Sequence, residues 1–238
     1  MTPFQPSKPL QLVLVGANGR MGKAIQHAAA KVASISIVCV MNHIPESAEK
    51  TDVVVDFSSD DGARRAVEIA TKLNAALLVG TTGLSEKSVL AIQNASQKIS
   101  TIKISNSSLG IAILTRLASV ATTILGSQAS ITIHETHHTR KKDSPSGTAL
   151  TLADALREYG ATISNTNIHS IREGEVIGDH RVTFEMENET LSLEHRALSR
   201  DLFATGALRI ADWLRHQPAG MHTAEEWLSD LLLKANKS

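Results

Sequence analysis

The sequence predicts an α/β protein: a parallel sheet covered on both faces, followed by a second, α+β domain with a mixed or antiparallel sheet. Three observations carry this. Short, continuous apolar runs alternate with helical stretches over the first 108 residues, as buried parallel strands and their crossovers do. A glycine-spaced turn joins the first strand to the first helix. Beyond residue 108 the strands alternate apolar and polar residues instead, the mark of sheets with one wet face.

The elements follow in order. Leu10–Val15 is the first strand and Met21–Val32 the first helix. Strands are expected at Ile35–Val40, Val53–Phe57, Ala75–Val79 and Thr101–Ser105, with helices at Gly62–Leu73 and Ser85–Lys98. Ser85 and Ser88 offer caps for the last of these. The second half opens with a long helix, Ile111–Leu125, then a half-buried strand, Ser130–Glu135, and a helix, Thr148–Tyr159. Arg181–Met186 and Thr190–Arg196 form a hairpin around Asn188-Glu189. A helix over Arg200–Arg215, capped by Ser199, presents Leu202, Ala207, Ile210, Ala211 and Leu214 on one face. A last helix runs from about Thr223 to Leu233.

Composition narrows the function classes. The chain has 238 residues, enough for two modest domains, and no net formal charge. That balance removes a whole-protein argument for nucleic acid or an anionic membrane. The single cysteine, Cys39, excludes an intrachain disulfide and a thiolate metal site, and reads as a buried strand residue. The N-terminus lacks the apolar core of a signal peptide, and no apolar run is expected to approach the ~20 residues of a membrane span. The expectation is a cytoplasmic protein.

Gly16-x-x-Gly19-x-x-Gly22 follows a strand and opens a helix. The first glycine permits the turn, the second lets backbone approach a pyrophosphate, and the third lets helix and strand pack closely. With further βα units behind it, the turn points to a Rossmann-type dinucleotide site. The acid that would grip an NAD ribose is missing: Met41-Asn42-His43 stands there. Asn42 suits a hydroxyl, whereas Arg20 and His43 suit a 2′-phosphate, so NADPH or dual use with NADH is expected. Gly80-Thr81-Thr82-Gly83 ends another strand and offers backbone groups and hydroxyls to a nicotinamide carboxamide.

His134 to Lys142 packs three histidines, one arginine and two lysines into nine residues. Asp143-Ser144-Pro145-Ser146-Gly147 then turns into a helix. Cations beside a helix N-terminus, with the N–H groups of Gly147 and Thr148 and the Thr148 hydroxyl, make a pocket for a small carboxylated molecule. A metal is the weaker reading, because Arg140, Lys141 and Lys142 put cations where the ion would sit.

Taken together and in order, the Gly16–Gly22 turn, Asp56-Phe57-Ser58, Gly80–Gly83, His137-His138-x-x-Lys141-x-Asp143-x-Pro145-Ser146-Gly147-Thr148-Ala149, Arg172–His180 and Ser199-Arg200 resemble the dihydrodipicolinate (4-hydroxy-tetrahydrodipicolinate) reductase family. The resemblance implies a dinucleotide-binding domain over 1–108 and 201–238, and a substrate and oligomerisation domain over 109–200. It implies NADPH- or NADH-dependent reduction of a cyclic dicarboxylate in diaminopimelate and lysine synthesis, in a homotetramer. It assigns proton donation to His137 and Lys141, and substrate contacts to His138, Lys141, Gly147, Thr148 and Arg200. Gly16, Ala17, Asn18, Gly19, Arg20, Met21, Gly80, Thr81, Thr82, Ser105, Asn106 and Ser107 would line the cofactor cleft, with Asn42 and His43 at the ribose. The chain departs from the family in a shortened stretch over 41–50 and in Ser107, where a larger apolar residue is common. A dehydrogenase of another small dicarboxylate, or a non-enzymatic nucleotide sensor, would share the first half.

Overall fold

The structure, a computed structural model, describes residues 5, 6, 8–40 and 50–236. The chain divides into two units, Met1–Ser108 with Asp201–Ser238, and Leu109–Arg200.

The first unit is built on β1 (Leu10–Val15), α1 (Arg20–Ala30), β2 (Ile35–Val40), β3 (Val53–Asp56), α2 (Asp60–Leu73), β4 (Ala76–Val79), α3 (Glu86–Ser96) and β5 (Ser100–Lys103). The C-terminal segment adds α6 (Asp201–Leu214), β10 (Gly220–His222) and α7 (Ala224–Ala235). Six strands lie parallel in the order β10-β5-β4-β3-β1-β2. β3 and β4 are buried along their whole length, which explains their apolar sequence up to Asp56 at the end of β3. One core cluster packs Val13, Val54, Leu77 and Val79 against Ala63, Ala66 and Ile69 of α2 and Ile92 of α3. The small faces of these helices let them lie close to the sheet.

The sequence missed β10, a three-residue edge strand beside β5, too short to show a period. Helix starts moved by a residue or two because caps set them. Ser59 caps α2 by accepting from Gly62 N at 3.2 Å. Thr223 and Glu226 form a reciprocal capping box on α7.

The second unit comprises α4 (Leu109–Leu125), β6 (Ser130–His137), α5 (Gly147–Glu158), β7 (Ile168–Arg172), β8 (Asp179–Glu185) and β9 (Thr190–Arg196). Its sheet, ordered β7-β6-β8-β9, is mixed: β7 runs parallel to β6, and β8 and β9 are antiparallel. The sequence missed β7. Alternation decides which residues face the core. Ile131 and Ile133 of β6 and Val182 and Phe184 of β8 pack against Leu114 and Ala118 of α4 and Leu152 and Leu156 of α5.

The expectation of no membrane-length apolar run needs correction. Leu109–Gln128 is 20 residues of helix with mean hydropathy 1.7, long and apolar enough to cross a bilayer. Ile111, Leu114 and Ala118 on one face belong to the core of this unit; Ile113, Leu117, Val120 and Ile124 are exposed.

Candidate active site

In the first unit, the carboxyl ends of β1, β3 and β4 carry the polar turns. Gly16 sits at φ +88°, and a side-chain carbon there would lie 2.8 Å from the Phe57 carbonyl carbon. At Gly22 an added Cβ would lie 2.7 Å from Ala17 Cα. Both glycines are therefore demanded by backbone proximity. Gly19 is the N-cap of α1 and supplies no side-chain cap, and no acid occupies the first turn. The first N–H groups of α1 are left to an outside acceptor, an arrangement suited to phosphate. Asn18, Gly19 and Arg20 are exposed, and Ala17 and Met21 half-buried.

Asp56, which the sequence did not single out as a site residue, knits two of these turns together. It is fully buried at the end of β3 and accepts from the hydroxyls of Thr81, at 2.7 Å, and Ser58. Thr81 in turn accepts from Ser58 N at 2.8 Å. Burial pushes the Asp56 carboxyl above the usual range, against the two hydroxyl donors. Gly80 lies against the Phe57 ring, where a Cβ would meet Cδ1 at 2.6 Å. Thr82 and Ser105 are exposed. Ser107 lies beyond the end of β5. It is buried, its hydroxyl donates to Phe203 O at 2.7 Å, and a Cβ on Gly206 of α6 would lie 2.8 Å from its carbonyl carbon. Its side chain thus serves the packing of α6, leaving backbone as what it offers a ligand. Asn42 and His43 lie outside the described residues.

In the second unit, the core face of β6 turns polar at one end. The alternation that buries Ile131 and Ile133 continues into Glu135 and His137, one turn-free strand rather than a strand ending at Glu135. On β8, His180 continues the row of Val182 and Phe184 and stands opposite Glu135 in register. β7 places Arg172 beside His137.

Glu135 is fully buried and accepts three times. Oε1 takes Arg172 Nη2 at 2.9 Å and Ser146 N at 3.3 Å; Oε2 pairs with His137 Nδ1. Burial pushes its pKa up, but these partners outweigh burial and hold it at about 2. His180 lies edge-on to His137 with ring centres 5.1 Å apart. Burial, reinforced by the charge of His137, holds His180 down at about 3, so it is neutral. Its Nε2 meets the Ser146 hydroxyl at 3.4 Å.

The cationic segment is stapled in place. Glu173 N donates to His137 O at 2.8 Å, Thr139 N to Gly174 O at 3.2 Å, and Arg172 Nη2 to Asp143 O at 2.5 Å. Arg140 pairs with Glu175 through two 2.6 Å contacts on the surface. Ser146 caps α5 by accepting from Ala149 N at 3.2 Å. Lys141 Nζ lies 2.8 Å from Asp143 Oδ2, and the Gly147 amide donates to the same carboxylate. Burial raises the Asp143 pKa, and Lys141 with that amide more than offsets it.

The structure thus brings His137, Lys141 and Gly147 into one polar cluster, with His138 and Thr148 buried beside it in sequence. Arg200 is half-buried and, like His138, lies within the electrostatic reach of Glu175. Glu135, Arg172 and His180 were given no site role at the sequence level; Arg172 and His180 only marked the ends of a segment that carried the resemblance, and Glu135 was signalled by strand alternation alone. Glu135, His137 and His180 hold one donor atom each within 4.8 Å of one another, a spacing a cation could use. The hydrogen bonds that Glu135 already accepts from Arg172, Ser146 and His137 favour a proton-handling cluster instead.

A parallel sheet with a glycine turn at its carboxyl edge, joined in one chain to a buried imidazole–carboxylate pair, is the build of a pyridine-nucleotide-dependent oxidoreductase. Residues 33–107 match the family model for the N-terminus of dihydrodipicolinate reductase, and residues 110–228 match that for its C-terminus. A 4-hydroxy-tetrahydrodipicolinate reductase of Campylobacter jejuni subsp. doylei is 35% identical, over 93% of this chain and 98% of the relative. That of Zymomonas mobilis subsp. mobilis is 37% identical, over 92% and 97%. The chain belongs to the dihydrodipicolinate reductase family. In fold it is similar to a dipicolinate-bound dihydrodipicolinate reductase from Paenisporosarcina sp. TG-14, with a TM-score of 0.73 at 19% identity, over 90% of this chain and 97% of that one.

Proposed function

We propose that the chain reduces 4-hydroxy-tetrahydrodipicolinate to tetrahydrodipicolinate, with loss of water, on the route to diaminopimelate and lysine in the cytoplasm. The observation that carries this reading is Asp143: a carboxylate already lies on both the Lys141 ammonium and the Gly147 amide, beside the His137–Glu135 pair. A substrate carboxylate would take the same donors, with His138, Thr148 and Arg200 completing its grip. A reduced nicotinamide nucleotide, when bound, supplies the hydride. Gly16–Met21 and the free N–H groups of α1 would hold its pyrophosphate, and Gly80–Thr82 with the backbone of Ser105–Ser107 its nicotinamide end. His137 would deliver the proton that follows, and Lys141 would offset the charge that develops on the substrate.

NADPH is favoured with NADH tolerated, since no acid stands near Asn42. An Asn42→Asp variant would repel a 2′-phosphate and shift the preference towards NADH. We also propose a homotetramer, built through the second unit; the exposed Ile113, Leu117, Val120 and Ile124 on α4 support an interface there. Light scattering of the purified protein measures its mass directly.

The deciding experiment couples the chain to a dihydrodipicolinate synthase and follows loss of nicotinamide absorbance with each reduced cofactor. Cofactor consumption that depends on the synthase product is expected. Binding of the nucleotide without consumption would overturn the assignment.

A further inference from the structure

We infer that Glu135 is the positioning residue for His137: it fixes the proton on Nδ1 and so presents Nε2 to the substrate. This rests on the reading of His137 as the proton donor, and extends it to a residue with no substrate contact of its own.

The two carboxylate oxygens are used differently. Oε1 is taken by a guanidinium and a backbone amide, Arg172 Nη2 and Ser146 N. Those partners anchor the group on β7 and at the cap of α5. Oε2 is left to His137 Nδ1. A carboxylate held low by His137 and Arg172 together is an acceptor only, so a neutral imidazole on it must carry its hydrogen on Nδ1. His180, kept neutral, adds no competing charge across the T-shaped contact. Gly178 completes the arrangement. A Cβ there would lie 3.0 Å from His137 Nε2, so glycine leaves that nitrogen uncovered. One ring nitrogen is thus tied down in the core of the sheet, and the other is left clear.

The role is one of orientation. Without the carboxylate the ring can flip or change tautomer, and only a fraction of molecules then offer Nε2 correctly. Chemistry slows while substrate carboxylates, held elsewhere, bind as before.

The test has a spectroscopic and a kinetic arm. In the wild-type protein, 15N-labelled histidine NMR at a pH of about 9, where imidazoles are neutral, should show His137 as the Nδ1–H tautomer. Finding the hydrogen on Nε2 would overturn the inference without any variant being made. Glu135→Gln keeps the shape and removes the charge. It should mix the tautomers and lower kcat on the order of tenfold to a hundredfold, with KM for the diacid within about twofold. Gly178→Ala should lower kcat by crowding Nε2 while the Nδ1–H signal persists. An unchanged kcat in folded Glu135→Gln refutes the positioning role. Full turnover by His137→Ala would instead remove the donor assignment, and leaves the tautomer result to stand or fall by itself.

Discussion

Gly22→Ala isolates the geometry of the first βα turn. In most helices this substitution is stabilising, by up to about 1 kcal/mol, because alanine is the better helix former. Here the new methyl would lie 2.7 Å from Ala17 Cα, with the Gly16 carbonyl closer still. Carbon atoms rest about 3.5–4.0 Å apart, so the turn must retreat by about 1 Å. That obstacle is backbone, which has no alternative rotamer. Overpacking of this kind costs about 1–3 kcal/mol. Part of that appears as lost stability and part as distortion of the N–H groups proposed to hold pyrophosphate. A loss of 1–2 kcal/mol in binding corresponds to roughly a 5- to 30-fold rise in Kd. Fluorescence titration with NADPH and NADH measures it, and thermal melting of the free protein measures the stability share. Ala28→Gly, on the same helix but away from the turn, is the control. It should lower stability by up to about 1 kcal/mol through helix propensity and leave cofactor Kd unchanged. Wild-type Kd in Gly22→Ala would show that the close approach of turn and helix is irrelevant to nucleotide binding, and the argument from glycine spacing would fail with it.

Four further outcomes are expected. Lys141→Ala should cut turnover a hundredfold or more and leave dinucleotide affinity almost unchanged; turnover near wild type would end the assigned role. Asp143→Asn weakens the internal competitor for Lys141 and the Gly147 amide, so KM for the substrate should fall severalfold; a KM that rises would mean Asp143 positions Lys141 instead. The Glu135 carboxyl is held at about 2 against an ordinary 4.5. A depressed acid contributes stability above its unfolded value and loses it as pH falls through the folded one, here some 3 kcal/mol between about pH 5 and pH 2. Chemical denaturation should find wild type and Glu135→Gln converging across that window, and a constant gap would contradict the linkage. Phe184→Ala empties the centre of the second core and should lower stability by about 3–5 kcal/mol, read from the same denaturation curves.

The two halves of the chain differed in how far their sequence revealed them. The first unit announced itself because its central strands β3 and β4 are buried on both faces, so Val53–Val55 and Ala76–Val79 are apolar throughout and bounded by polar turn residues. The glycine spacing was equally plain, since Gly16 takes a positive φ at the turn and Gly22 is demanded by backbone contacts with its sequence neighbours Gly16 and Ala17. Long-range partners left no such trace. β7 and β10 exist because another strand offers them a ladder, and neither carries a period strong enough to read. Ser107 illustrates the limit at one position. Its place after a strand suggested a cofactor contact, but its hydroxyl is claimed by Phe203, 96 residues away.

The hidden part of the site is likewise the part built from distant strands. His137, Lys141 and Gly147 lie within eleven residues of one another, so a local pattern of cations, a turn and a helix start was enough to find them. Glu135 was visible as a residue but not as a partner. Its role depends on Arg172 and His180 arriving on two other strands, one parallel and one antiparallel. Strand alternation contained half of that information. If Ile131 and Ile133 face the core, Glu135 and His137 must face it too, and a glutamate so placed needs donors. The buried acid on a core-facing strand position was therefore the legible warning. The identity of its cationic and amide partners belonged to the register of the sheet. A site of this kind is read best by asking which polar residues a strand's period forces inward, and only then by asking which motif they complete.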